Sequence, residues 1–194
     1  MDRYKSHEET ARNHKPGLNN LLYSLSWVFM AIFGFFALIN LYSVIGNIGN
    51  PEYGFGVDMI LAILVSILLP GGSAFLIWRK KDNLRIEYDY TYTHIGGGKA
   101  DLDVAKVMGN ARRRLMTSLA LSSVESAGKV THPSFQRYLT MRDVKKHNWF
   151  VNRGAELYYF YFAKNGVKHV IVLELSDTMI ERATQHLGRG IWQG

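Results

Sequence analysis

The chain has no cysteine, which excludes disulfides, thiolate nucleophiles and Cys-ligated zinc or iron–sulfur centres. Whatever folds here must hold together by packing alone. Charge is missing from two long stretches: Leu21–Val44 and Met59–Trp78 contain no Lys, Arg, Asp, Glu or His. Between them, Ile45–Gly56 lacks Lys and Arg. The spacings of common reaction centres are missing too. The seven histidines, His7, His14, His94, His132, His147, His169 and His186, form no H-x-x-x-H pair and sit beside no paired carboxylates at metal-site spacing. Gly96-Gly97-Gly98-Lys99 is followed by Ala100, whereas a phosphate loop needs Ser or Thr there and a helix after it. A hairpin turn is the expectation. His132-Pro133-Ser134 is a pairing in sequence only, and a nucleophile needs its base adjacent in space.

What is present is dominated by the two uncharged runs. An α-helix rises ~1.5 Å per residue, so each run is long enough for a hydrocarbon core of ~30 Å. Soluble core helices seldom continue so far with apolar side chains on every face. The first run is also too long, and too far from the start, for a cleaved signal sequence. The expectation is two transmembrane helices, residues 21–45 and 57–78, joined by an external loop, 46–56. The mean hydropathy of -0.07 averages this apolar hairpin with a polar remainder.

Basic residues set the expected orientation. Arg3, Lys5, Arg12 and Lys15 precede the first run and Arg79, Lys80 and Lys81 follow the second, which places both termini in the cytoplasm of a two-pass protein of the cell membrane. Arg79, Lys80 and Lys81, with Trp78, are candidate membrane anchors. Asp58, in the first turn of the second helix, suits the helix dipole. Ala31, Gly34 and Ala37 in the first run, and Ala62, Ser66 and Pro70 in the second, are small or compact residues at helical spacing, hence candidates for close helix packing. Pro70-Gly71-Gly72 should kink the second helix. The leading segment, residues 1–20, is polar and of mixed charge, and is expected to be a flexible or surface-lying cytoplasmic tail.

Residues 79–194 are the size of one small domain and carry 19 Lys and Arg against 11 Asp and Glu. From Leu84 to Thr93 apolar and polar residues alternate, as in a half-buried strand. The Gly96–Gly98 turn leads to a return strand at Asp101–Val104, and Arg112–Leu121 is a further candidate. Gly128–Pro133 is expected to be a loop, with weaker strands at Gln136–Val144 and Asn148–Val151. Leu157–Phe162 and Val167–Leu175 flank Asn165-Gly166, which favours a tight hairpin turn. Ser176-Asp177-Thr178 opens a helix, with Thr178 and Glu181 spaced as a capping box; Met179, Ile180, Ala183 and Leu187 share its apolar face and Gly188 can end it.

This order of six or seven antiparallel strands and a final helix resembles the bacterial pleckstrin-homology-like domain. The resemblance is carried by Tyr90–Thr93, Leu102–Val104, Arg112–Arg114 with Leu119–Val124, and Leu157–Leu187. With the preceding spans, the chain is similar to a family of small two-pass bacterial membrane proteins without an assigned activity. The resemblance implies an α+β membrane protein, a small antiparallel β-barrel or sandwich with a C-terminal helix behind a transmembrane hairpin. No cofactor, metal or catalytic constellation is expected.

Arg112, Arg113 and Arg114, with Lys145 and Lys146, are the candidate contacts for anionic lipid, each basic residue near a membrane surface contributing ~1 kcal/mol. The aromatic run Tyr158–Phe162 is a core strand rather than a platform for stacking bases, so nucleic acid is not an expected partner. The functional expectation is a non-enzymatic membrane-anchored module contacting a protein partner, another copy or anionic lipid at the inner leaflet. The alternative is an accessory subunit of a membrane transport or envelope complex.

Overall fold

The computed structural model describes residues 6–47, 56–109 and 112–193. Two units divide the chain: the stretch up to His14 together with everything from Ile86 on, and Lys15–Arg85 between them.

The middle unit is helical. Helix α1 is Gly17–Asn47, and among the described residues it is the one helix long and apolar enough to cross a membrane. The second apolar run is not one α-helix. It consists of α2 (Val57–Ile63), a π-helical turn (Leu64–Leu68) and α3 (Leu69–Lys80), followed by a 3-10 turn over Lys81–Arg85. Pro70 explains the wide turn. It has no N–H to donate and its ring crowds the carbonyl four residues back, so the backbone widens just upstream while the helical path runs on. The connector with Tyr53 and Phe55, and the side chains of Asp58 and Ala62, lie outside the described residues.

No residue of α1 is buried. Its half-buried positions recur at Tyr23, Ser26, Met30, Phe33, Ala37, Asn40 and Val44, the alternating three-and-four spacing of a helix–helix seam. On the second run the matching stripe includes Ser66, Pro70, Gly71, Ser73 and Ile77. Gly71 lies against Ala37, where an added Cβ would be 3.7 Å from the Ala37 Cβ. Gly34 is half-buried with open space beside it, while Ala31 is exposed.

The other unit holds two sheets around a main core. Strands β1 (Ser6–Ala11), β2 (Ile86–Gly96), β3 (Lys99–Met108) and β4 (Arg112–Ala120) form the first, in that order and antiparallel. The second contains β5 (Val124–Lys129), β6 (Val144–Trp149), β7 (Tyr158–Lys164), β8 (Val167–Leu173) and β9 (Trp192–Gln193), ordered β6-β8-β7-β5-β9. Helix α4 (Pro133–Thr140) joins β5 to β6, and α5 (Asp177–Thr184) follows β8. The sheets do not close into a barrel.

Several expectations change here. The leading segment is not a free tail: Ser6–Ala11 pairs in register with Tyr88–Thr93. Its sequence gives little sign of this because only Ala11 is buried, opposite Tyr88. The second sheet is mixed rather than antiparallel, since β6 runs parallel to β8 and β5 to β9; β8 inserts between β6 and β7 instead of each strand adding beside the last. Gly128 belongs to β5 rather than to a loop, because β9 approaches so closely that a Cβ there would overlap the Gln193 carbonyl. Residues expected as a strand from Gln136 form α4, capped by His132 and opened by Pro133 at its first turn. For α5 the cap is Ser176, whose Oγ accepts from Met179 N, rather than Thr178.

The Gly96–Gly98 and Asn165-Gly166 turns hold. Gly97 and Gly98 have φ of 61° and 74°, and Asn165 and Gly166 have 51° and 74°, the left-handed values of a tight hairpin. The main core joins Tyr90, Leu102 and Leu119 of the first sheet to Phe160, Ile171 and Leu173 of the second, with Met179 and Ala183 of α5. Behind the second sheet a smaller core packs Phe135 of α4 on Tyr159, Tyr161, Val170 and Val172. Strand β7 is therefore buried on both faces, and none of its five consecutive rings is free to stack on a base.

Candidate functional site

Strand alternation decides what the basic residues can do. On β4, Arg113 points to the face opposite that of Arg112 and Arg114. Its guanidinium reaches across the sheet to Glu8 at 2.7 Å and to Asp89 at 3.4 Å, while Arg112 and Arg114 are exposed. The triple-Arg run is thus divided between one cation paired with two cross-strand carboxylates and two solvent-facing cations. The pair Lys145 and Lys146 is divided in the same way. Lys146 donates to the Leu139 carbonyl at 2.6 Å, and Lys145 faces the opposite side of β6, toward His147 and Trp149.

The expected anchors also separate. Arg79, Lys80 and Trp78 are exposed, but Lys81 is buried, pairs with Asp82 at 2.9 Å and lies over the Trp27 ring at 4.8 Å. Arg85 stacks on Tyr23 at 3.8 Å. Two cations hold the end of the helical unit through aromatic faces, an arrangement favoured where water is sparse.

Two polar networks fasten the sandwich. Tyr90 donates to the Trp149 carbonyl at 2.6 Å and accepts from Glu174 N at 3.3 Å, joining the sheets through the core. Burial pushes the Tyr90 phenol far above its ordinary range, so it remains a donor. The second network holds the segment leading into α1. Asn152 accepts from His14 N and donates to the Arg12 carbonyl and to Glu174. The Glu9 carboxylate accepts from Ser176 N and Ser176 Oγ at the start of α5. The segment before the apolar unit is thereby fixed to the domain that follows it.

His132 and Ser134 do meet, with Nδ1 and Oγ 2.7 Å apart. Ser134 Oγ is also 2.7 Å from the Tyr159 hydroxyl, which is 3.1 Å from Ser126 Oγ. The chain of hydroxyls runs into the second core, and His132 caps α4; the geometry is that of a satisfied cap and a buried polar chain. Among the described residues no three of His, Cys, Asp and Glu gather as a metal site.

A groove opens where β4 passes the β6-β8-β7 corner. It has a volume of about 430 Å³. Trp149, His147, His169 and Phe162 form a continuous column of stacked rings along one side, with centroids 4.9, 5.4 and 5.5 Å apart. His147 Nε2 and His169 Nδ1 are 3.2 Å apart, close enough to share one proton. Lys145 and Lys164 line the same groove, Lys164 donating to the Ser118 carbonyl at 3.3 Å. No Asp or Glu lines it. Burial, then Lys145, pushes the His147 imidazole below its ordinary value; for His169 burial, then the His147 ring, then Lys145 and Lys164 act in the same direction. Sequence reading missed this pair because its members are 22 positions apart and meet only through the parallel β6–β8 register, which sets Lys145 opposite His169.

Comparison with known proteins gives one positive finding: residues 20–193 match the family model described as a bacterial PH-like domain. No curated protein and no solved structure matches the chain. Strand β1 lies ahead of the matched residues.

Proposed function

The chain belongs to the bacterial PH-like domain family, whose function is unknown, and on that premise we propose that it is a non-enzymatic binding module fixed to the cytoplasmic face of a membrane by two crossings. The observation that carries the reading is the pairing of β1 with β2. Residues before Lys15 and after Arg85 hydrogen-bond in one sheet, so the apolar unit between them starts and finishes on the same side of any bilayer it enters. It crosses an even number of times. A single passage by α1 is incompatible with that sheet, and the return path is the 24-residue helical run Val57–Lys80. At ~1.5 Å per residue that run covers ~36 Å, enough for a hydrocarbon core of ~30 Å.

Exposure supports immersion. Leu18, Phe35, Leu38, Val65 and Leu69 are all more than 60% exposed, and exposed apolar surface this continuous needs lipid or protein to cover it. Arg79 and Lys80, with the basic residues before α1, favour the cytoplasm. Domains of this kind generally bind rather than catalyse, and the His132–Ser134–Tyr159 contacts described above are accounted for by capping and packing.

The absence of cysteine makes the test clean. Two single-cysteine variants, Asn50→Cys in the connector and Thr131→Cys in the domain, are exposed in intact cells to a membrane-impermeant maleimide. Labelling of N50C alone, with T131C labelled only after lysis, is the expected result. Labelling of T131C in intact cells, or release of the protein from membranes by alkaline carbonate, overturns the reading.

A further inference from the structure

The groove between β4 and the β6-β8-β7 corner concentrates positive charge without compensation. Lys145 comes from β6, Lys164 from the end of β7, His147 and His169 from β6 and β8, and β4 contributes the uncharged Met116 and Thr117. These are all the titratable groups lining it, and none is acidic. Two ammonium groups beside two imidazoles repel one another and disfavour imidazole protonation, and nothing acidic in the lining offsets them. A cation makes this worse, and the two imidazoles alone are too few to compete for a metal against two lysines. An anion relieves it. The volume of about 430 Å³ falls within the range of small-molecule sites, and the buried Trp149 and Phe162 rings give the imidazoles a rigid apolar backing.

We propose that this groove binds a small phosphate-bearing anion, with Lys145 and Lys164 supplying permanent charge and the His147–His169 pair taking up a proton as the anion enters. The inference deepens the binding-module reading by naming a ligand chemistry, but it does not depend on how many times the chain crosses the membrane. The shared proton explains the use of two histidines. With one N–H already between the rings, an added proton leaves both outer ring nitrogens as donors, and an oxyanion accepts from several donors at once. Binding therefore strengthens as pH falls.

The groove is built differently from the Arg112–Arg114 surface. The exposed arginines offer charge alone, whereas here charge, a donor pair and an aromatic wall converge. A free phosphomonoester and a phosphate-bearing lipid headgroup share this chemistry, so the experiment needs an arm for each.

Full-length protein carrying 13C-labelled histidine, in zwitterionic lipid nanodiscs, is titrated with pH in the absence and presence of glycerol 3-phosphate up to ~10 mM, a range that captures weak sites. A second arm replaces part of the lipid with phosphatidic acid. The expected result is that the His147 and His169 midpoints rise by about one pH unit in at least one arm. Lys145→Gln with Lys164→Gln should cut the apparent affinity at least tenfold, and His147→Gln should leave residual binding with a flattened pH dependence. A response in the soluble arm assigns a free ligand, and a response only to phosphatidic acid assigns a headgroup. Immobile His147 and His169 midpoints in both arms, or shifts that persist in a folded K145Q/K164Q protein, overturn the proposal. Either failure leaves the maleimide-labelling result untouched, so the two readings fail separately.

Discussion

The helical unit and the sheet unit use the same apolar vocabulary in opposite senses. In the sheet unit, Tyr90, Leu102, Phe160, Ile171 and Met179 are fully enclosed, and the buried hydroxyls of Tyr90, Ser126 and Tyr159 are hydrogen-bonded. In α1 no residue is enclosed, and Phe35, Phe36 and Leu38 are more than half exposed. Left in water, the second arrangement is unfavourable at every exposed ring, so lipid or protein must cover it. In the proposed membrane setting, the contrast is one of two folding solvents within one chain. Water drives the sandwich together by expelling apolar surface, whereas in lipid that drive vanishes and close packing at small residues, such as Ala37 against Gly71, has to hold the helices.

The largest expected effect tests this contrast directly. Phe160→Ala removes a ring at the centre of the main core and should destabilise the domain by about 3–5 kcal/mol. Phe35→Ala removes the same ring from α1, where it is 64% exposed, and should leave the domain's unfolding unchanged. Denaturant unfolding of both full-length variants in detergent micelles, followed by tryptophan fluorescence, measures the pair. Equal destabilisation would mean that Phe35 is covered by protein and that the two-solvent account is wrong.

A smaller effect sharpens the account of how the sheets are joined. Tyr90→Phe keeps the ring and removes the hydroxyl between the Trp149 carbonyl and Glu174 N. Leaving buried backbone groups unpaired costs about 1–3 kcal/mol. The same unfolding measurement should show that loss, with the domain's secondary structure unchanged by circular dichroism.

Legibility in the sequence follows the same division. Continuous apolarity located α1, and the alternation from Leu84, the glycine turn and Asn165-Gly166 located the hairpins, since each is a local signal. Elements set by distant contacts were not legible. Strand β1 is recognised only beside β2, because its inward residues His7 and Glu9 are polar. Gly128 reads as a loop residue until Gln193 is seen to approach it. Helix α4 was legible in principle from His132-Pro133, a cap followed by proline, but the β-prone residues around Tyr138 and Val144 masked it. For the candidate surface, the basic residues were visible while strand alternation, which divides Arg113 from its neighbours and Lys145 from Lys146, depended on knowing the strands. The His147–His169 pair needed the parallel register.

The smallest effect concerns protonation of that pair in the free protein. Both imidazoles have folded pKa values below their ordinary 6.5, so on acidification the unfolded chain takes up these protons first. The sign follows: above about pH 6.5 neither state carries the extra protons and stability is unaffected, while below it the unfolded state is favoured and stability falls as pH drops. His147→Gln with His169→Gln should therefore flatten the unfolding midpoint between pH 7 and pH 5, a window above the ordinary carboxylate range. A steeper fall in the variant would mean that the histidines are charged in the folded domain, and would remove the electrostatic basis for proposing an anion in the groove.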